Sequence, residues 1–337
     1  MKKVGIIGCG NIARVHGWVL QSMENAELTA VCDVEEDRAT ALSEQYGAGR
    51  AKVYTDWHGL CESDVDAVHI CTPHFLHASM AAELLRHGKA VFMEKPCAIS
   101  REQFEELKRE EARYPGKLGF CFQNRYNETT SAVDRMLADG TIGTVTGGRA
   151  FVTWQRDEAY YAGSPWKGVW ATEGGGALIN QSIHTLDLLL RYLGTPKQVA
   201  ATCSNHHLKG IIEVEDTLEA WMAFEDGKRA CFYASNGYVT DAPVLWELQG
   251  EKGRITVNGS EVTLWTQERG TEHFSYEVAS GIGKGYWGCG HRACIHDFYR
   301  CLEQESVFPG DIKGVENTFE TMMRIYETGK QALQVKK

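Results

Sequence analysis

Lys3-Val4-Gly5-Ile6-Ile7-Gly8-Cys9-Gly10-Asn11-Ile12-Ala13 is an apolar run, a glycine-rich turn and the opening of a helical pattern. Ile12, Val15, Val19 and Met23 recur at helical spacing, so the stretch reads as strand, tight turn and helix. Glycines in such a turn let the backbone approach a pyrophosphate, while the free N–H groups and dipole of the helix N-terminus favour an anion. Gly8, Cys9, Gly10, Asn11 and Ile12 are therefore candidate dinucleotide-binding residues. Asp33 strengthens the reading, because it closes the next apolar run, Leu28 to Cys32, where a carboxylate accepts hydrogen bonds from ribose hydroxyls. A 2′-phosphate there would meet a like charge, costing about 4 kcal/mol for one pair at ~4 Å in an effective dielectric of ~20. NAD is expected in preference to NADP, with Arg38 a solvated helix residue.

Outward from this stretch, apolar runs and helical patterns alternate as a parallel sheet with crossover helices requires. Helices are expected around Glu35 to Tyr46 and through Ala81, Leu84 and Leu85, strands at Val65 to Cys71, Ala90 to Met93 and Leu118 to Phe122. Ser100 and Gln103 form a capping box before Phe104 and Leu107. Beyond Gln123 the pattern changes to alternating, aromatic-rich strands: Arg149 to Trp154, Leu218 to Phe224, Arg229 to Ser235, Val244 to Leu248, Arg254 to Val257 and Val262 to Trp265. Turns at Glu225-Asp226-Gly227 and Gly250-Glu251-Lys252-Gly253 join neighbours, so this half is expected to be largely antiparallel. Helices are expected around Val133 to Leu137, at Ala177 to Leu193 and at Arg292 to Leu302. The expected fold is α/β: a dinucleotide-binding domain over 1–123 and a substrate-binding and oligomerisation domain over 124–337, built on a large, mostly antiparallel open sheet.

Ligands of open parallel sheets bind beyond the carboxyl ends of the strands. Two such ends carry Cys71-Thr72-Pro73-His74-Phe75-Leu76-His77 and Glu94-Lys95-Pro96. A rigid turn would aim Lys95 into the crevice, and a cis peptide bond at 94–95 or 95–96 would serve such a turn. Further on, Glu173-Gly174-Gly175-Gly176 precedes an apolar helix in which Asn180, His184 and Asp187 make a polar stripe. Buried without partners such groups would cost a few kcal/mol each (about 1 to 3), so they face a hydrogen-bond network or a wet active site. An imidazole with an ordinary pKa near ~6.5 is suited to taking a hydroxyl proton at neutral pH.

With Gln123-Asn124-Arg125-Tyr126 and the run from Gly174 through Asn180 and His184 to Asp187, these motifs in this order resemble the glucose-fructose oxidoreductase, inositol dehydrogenase and MocA (Gfo/Idh/MocA) family over nearly the whole chain. The resemblance implies a Rossmann domain followed by an α/β domain whose open sheet makes homodimers or homotetramers. It implies that Lys95 and His184 hold the reacting hydroxyl as the catalytic pair. It also implies NAD held by Cys71, Thr72, Pro73, His74, His77, Glu94, Lys95 and Asn124, and a sugar met by Arg125, Tyr126, Trp166 and Asn180. Many polyol dehydrogenases of the family have aspartate where this chain has Asn180, and an amide cannot relay a proton. The ring-rich stretches Tyr160 to Trp170 and Gly285-Tyr286-Trp287-Gly288, leading to His291, suit stacking on a sugar face or an interface between copies.

The activity so implied is reversible oxidation of a secondary hydroxyl of a sugar, glycoside or nucleotide sugar. Two alternatives are glycoside cleavage by redox cycling of a tightly held NAD, and a sensor that binds NAD without chemistry. Composition narrows the partners: 35 Lys and Arg against 45 Asp and Glu give a net charge of −10, which repels nucleic acid and anionic membranes. No apolar stretch is long enough to span a bilayer, and the N-terminal run, broken by glycines, reads as a strand rather than a signal peptide. A cytoplasmic location is expected, with eleven cysteines as free thiols. Cys289, His291, Cys294, His296 and Cys301 match no closed zinc spacing, so no metal is expected.

Overall fold

β1 (Lys2–Ile7) lies inside a parallel sheet followed in turn by α1 (Asn11–Gln21), β2 (Ala26–Cys32), α2 (Glu36–Tyr46), β3 (Lys52–Tyr54), the short α3 (His58–Cys61), β4 (Ala67–Ile70), α4 (His74–Arg86), β5 (Ala90–Met93), α5 (Arg101–Arg113) and β6 (Leu118–Phe120). The six strands run in the order β3-β2-β1-β4-β5-β6, which reverses direction between β1 and β4. Such a reversal is where open α/β sheets bind dinucleotides. Val4, Ile6, Val68, Ile70, Val91 and Phe92 are each 0% exposed, as strands covered on both faces require. At the head of α5, Ser100 Oγ accepts the Gln103 N–H at 3.3 Å, the expected cap.

This computed structural model describes residues 1–276 and 288–334. After a 3-10 turn at Gln123–Tyr126 the second pattern begins: α6 (Glu128–Ala138), β7 (Val145–Thr153), α7 (Glu158–Ala162), a π-helical turn over Ala177–Ser182 that runs into α8 (Ile183–Leu193), then β8 (Gln198–Ser204), β9 (Thr217–Ala223), β10 (Arg229–Ser235), β11 (Leu245–Gly250), β12 (Gly253–Asn258), β13 (Glu261–Thr266) and β14 (Gly270–Ser275). The eight strands are ordered β14-β13-β12-β11-β7-β10-β9-β8. Only β7 with β10 is parallel, which bears out a mostly antiparallel sheet. Alternation is clean in β10, where Ala230, Phe232 and Ala234 are buried while Arg229 and Cys231 are exposed.

The last two helices are α9 (Gly290–Glu303) and α10 (Ile312–Gln334). The chain divides at Gln123/Asn124 as expected, but residues 288–315 belong to the first unit rather than to a second one running unbroken to 337. The reason is apolar cover for the parallel sheet. Phe298 of α9 lies 5.1 Å from the Phe92 ring, and the Phe120 N–H of β6 donates to the Gly310 carbonyl at 2.8 Å. Gly285, Tyr286 and Trp287, read from sequence as sugar-stacking or interface residues, lie outside the described residues.

Candidate active site

In the first unit the ends of β1, β2, β4 and β5 gather the expected residues at the reversal of strand order. Gly8 has φ +84, and a Cβ there would lie 2.7 Å from the Cys71 carbonyl group, so only glycine lets the turn after β1 close against the end of β4. Gly10 caps α1 with no side-chain hydrogen bond and no acid in the first turn, and a Cβ on it would meet nothing within 4 Å. That open, uncapped helix start fits a pyrophosphate. Asp33 Oδ2 accepts the Cys9 N–H at 2.7 Å and Oδ1 accepts the Glu35 N–H at 3.0 Å, which fixes the carboxylate beside the turn with lone pairs left for ribose hydroxyls. Burial, then the Asp33 charge, pushes the Cys9 and Cys32 thiols up to about 12, so neither is a reactive thiolate. Arg38 pairs with Glu35 at 3.0 Å on the surface, consistent with a solvated role.

Past β4, Cys71, Thr72 and Pro73 are half-buried, while His74 is buried at the start of α4. His77, expected at the cofactor, has both ring nitrogens against backbone carbonyls. Its Nδ1 lies 2.8 Å from the Pro96 carbonyl and its Nε2 2.8 Å from the Thr72 carbonyl, so the ring ties the turn after β4 to the turn after β5. Burial lowers its pKa in spite of both carbonyls. The Lys95–Pro96 bond is cis, and Lys95 is half-buried in the turn.

Glu94 leads to residues that the sequence did not single out. His16 Nε2 is 3.1 Å from Glu94 Oε1, His16 Nδ1 is 2.8 Å from His69 Nδ1, and His69 Nε2 is 3.0 Å from the Tyr299 hydroxyl. Burial would push the Glu94 carboxyl up, but the His16 hydrogen bond and the charges of His16, His291 and Lys95 outweigh it and hold it well below the usual range. Burial lowers His291 to about 4. The one signal of this chain in the sequence was His16 within the apolar helix pattern. His16, Glu94 and Cys121 place one ligand-type atom each within 4.8 Å of one another, a grouping different from the 289–301 set considered for zinc. Its His16 and Glu94 atoms are in direct hydrogen-bonding contact.

In the second unit the helix after the glycines is buried at every position from Gly175 to Leu190 except Asn180 and His184. These two, four residues apart, are the half-buried positions of that stretch. Asp187, the third polar residue of the stripe, is structural: it is 2% exposed, its Oδ2 accepts Arg125 Nε at 2.7 Å and its Oδ1 accepts Thr318 Oγ1 at 2.7 Å. Arg125, expected at the sugar, pairs with this buried carboxylate. Asn124, Tyr126 and Trp166 are half-buried. The Asn124 carbonyl accepts Thr130 Oγ1 at 2.7 Å, fixing that turn. Of the ring-rich loop, Tyr161 joins a core cluster with Leu208, Ile212 and Val214, and Tyr160 and Trp170 pack against it.

Two buried acids brace the segment around the triple glycine. Glu215 Oε2 accepts the Gly176 N–H at 2.9 Å and Oε1 accepts the Leu178 N–H at 3.0 Å and the Tyr326 hydroxyl at 3.0 Å. A Cβ on Gly176 would fall 2.0 Å from the Glu215 carbonyl oxygen. Glu173 Oε2 accepts the Gly168 N–H at 2.5 Å, and its Oε1 accepts Asn180 Nδ2 at 2.5 Å. Burial raises both carboxyls to about 7. Glu173 stands beside the glycines in the sequence, yet nothing in its spacing marked it.

Residues 2–120 match the family described as "Oxidoreductase family, NAD-binding Rossmann fold", and residues 130–256 match "GFO/IDH/MocA C-terminal domain". The chain belongs to the Gfo/Idh/MocA family. Inositol 2-dehydrogenase of Rhizobium meliloti is 26% identical over 98% of this chain and 92% of that protein. D-glucoside 3-dehydrogenase of Escherichia coli is 34% identical over 58% of this chain and 54% of its own length. The solved WlbA dehydrogenase from Bordetella pertussis, in complex with NADH and UDP-GlcNAcA, superposes with a TM-score of 0.83 at 24% identity, over 97% of this chain and 96% of that one. A levoglucosan dehydrogenase complex with NADH and levoglucosan gives 0.87 at 18% identity, over 98% of each. These likenesses show the fold. The Gfo/Idh/MocA chain binds NAD, and the first unit fits it: an open helix start for the pyrophosphate and Asp33 placed for the ribose. Among the described residues no helix is long and apolar enough to cross a membrane.

Proposed function

We propose that this Gfo/Idh/MocA oxidoreductase oxidises, reversibly, a secondary hydroxyl of a sugar, glycoside or nucleotide sugar, with Lys95 and His184 serving the reacting hydroxyl. The observation that carries the reading is the stretch from Gly175 to Leu190, which buries everything except Asn180 and His184. Two polar residues, one turn apart on an otherwise buried stretch, are a surface for substrate hydroxyls rather than part of a core. Bound NAD supplies the hydride acceptor. Loss of hydride from the carbinol carbon leaves an oxygen that must shed its proton. His184 takes that proton, and the Lys95 ammonium stabilises the negative charge that develops on the oxygen. Thr72, His74, Glu94 and Asn124 are proposed to line the nicotinamide end, with His77 holding the turns that carry them. Tyr126, Trp166 and Asn180 are proposed to meet the sugar.

The relatives' names support a carbohydrate or polyol substrate, since they act on inositol and on D-glucosides. The experiment is a panel of free sugars, methyl glycosides, inositols and nucleotide sugars incubated with NAD. Accumulating NADH and a keto product are expected. Cleavage of a glycoside without NADH accumulation would replace this reading by redox cycling. Binding of NAD with no turnover of any class would replace it by a sensor.

A further inference from the structure

Asn180 is an amide with two different ends, and what lies behind it decides which end faces outward. The Nδ2 end donates to Glu173 Oε1 at 2.5 Å, and Glu173 is 0% exposed. An ionised carboxylate only accepts hydrogen bonds, so it holds the NH2 end and turns the carbonyl oxygen of this half-buried residue the other way. The second carboxylate oxygen, Oε2, takes the backbone N–H of Gly168, a donor that cannot reverse. A proton added to Glu173 therefore goes to Oε1, directly at the amide. The amide must then rotate so that Oε1–H donates to Asn180 Oδ1 and the NH2 faces outward.

We propose that Glu173 is a positioning residue that sets which end of the Asn180 amide meets the substrate: a hydrogen-bond acceptor when Glu173 is ionised, a donor when it is protonated. The inference rests on the reading of Asn180 and His184 as the sugar-facing pair. Both states are populated near neutrality, because burial raises the Glu173 carboxyl to about 7. The charged and titratable neighbours act as expected: the Glu215 carboxylate pushes it higher, the Lys167 ammonium lowers it, and the Glu173 charge in turn raises the Tyr161 phenol. The reacting hydroxyl spends its one proton on His184, so an acceptor one helical turn away orients a second, neighbouring sugar hydroxyl that donates to it, and the ionised state is the productive one.

Glu173→Gln traps the other state. The fixed Gly168 N–H selects the glutamine carbonyl, which leaves the glutamine NH2 to face Asn180 and draws the Asn180 oxygen inward. The test uses the NAD-loaded enzyme labelled with 15N-asparagine, the Asn180 side-chain NH2 pair being assigned by its loss in Asn180→Ala. In the wild type this pair is expected to shift between about pH 5.5 and about pH 8.5 with a midpoint near 7, and in Glu173→Gln it is expected not to move. In parallel, methyl β-D-glucopyranoside and myo-inositol serve as probes of activity. For either probe turned over, kcat/KM of the wild type should rise through the same midpoint, and Glu173→Gln should lose that step and about tenfold in kcat/KM, mainly in KM. An Asn180 pair that stays put across the pH range in the wild type, or a pH step unchanged in Glu173→Gln, overturns the proposal. If neither sugar is oxidised, the functional reading is what suffers, while the amide titration still decides the role of Glu173.

Discussion

Asp33 shows how much one side chain can determine. It sits at the end of β2 and its carboxylate is pinned by two backbone N–H groups, so it cannot swing aside for a 2′-phosphate. Asp33→Ala should lower the ratio of kcat/KM for NAD over NADP by about tenfold or more, of the order of one unfavourable charge pair partly screened by water. Equal use of both cofactors by the wild type, or an unchanged ratio in the variant, would contradict this. Asp33 was legible because its place at a strand end after a glycine turn is a local pattern. Asn180 and His184 stand out in the sequence for a similar reason, as polar residues within an apolar helical repeat, and both are half-buried. The ion pair of Arg125 with Asp187 was not legible, since it depends on a partner distant in sequence. Glu173 and His16 escaped for the same cause: their roles come from Asn180, Glu94 and His69, which only the fold brings to them.

At the scale of elements, strands with strong apolar alternation or continuous apolar runs were read to within a few residues. The strands that went unread are β3, β8 and β14, all at sheet edges. An edge strand is half-solvated and tolerates polar residues, so β14, Gly-Thr-Glu-His-Phe-Ser, carries little apolar signal. The π-helical turn before α8 was read as ordinary helix, because its cause is tertiary: Glu215 and Tyr326 occupy the space above Gly175 and Gly176. A Cβ at Gly175 would lie 1.9 Å from the Tyr326 hydroxyl. Gly176→Ala should therefore force the turn away from Glu215 and destabilise the protein by about 2 kcal/mol or more, the size expected of overpacking a filled site. A thermal melt would show this as a fall in Tm of several degrees, and an unchanged Tm would mean that the turn relaxes freely.

For the molecule as a whole, the two units divided along the chain as expected except for α9 and its flank, which return to cover the parallel sheet. No local pattern marks such a return, because a helix with one apolar side can pack on either unit. The larger sheet keeps one face with Trp221 at 44% and Trp265 at 40% exposure, beside the outward ends of Arg149 and Glu247. We propose that a second copy of the chain covers this face, as the family resemblance implies. Trp221→Glu should reduce the mass in sedimentation to that of a single chain, and a wild type that is already single would contradict the proposal.

Proton removal by His184 at a hydroxyl that Lys95 also serves is the central proposal. The measurement is the steady-state rate of NADH formation from the best sugar of the panel, across pH, for the wild type, His184→Ala and Lys95→Ala, with NAD affinity measured alongside. Each substitution should lower kcat by about a hundredfold or more, the size of a typical acid-base contribution, while NAD affinity changes little. If His184→Ala keeps near wild-type kcat and the same pH profile, the histidine is structural and the central claim is wrong.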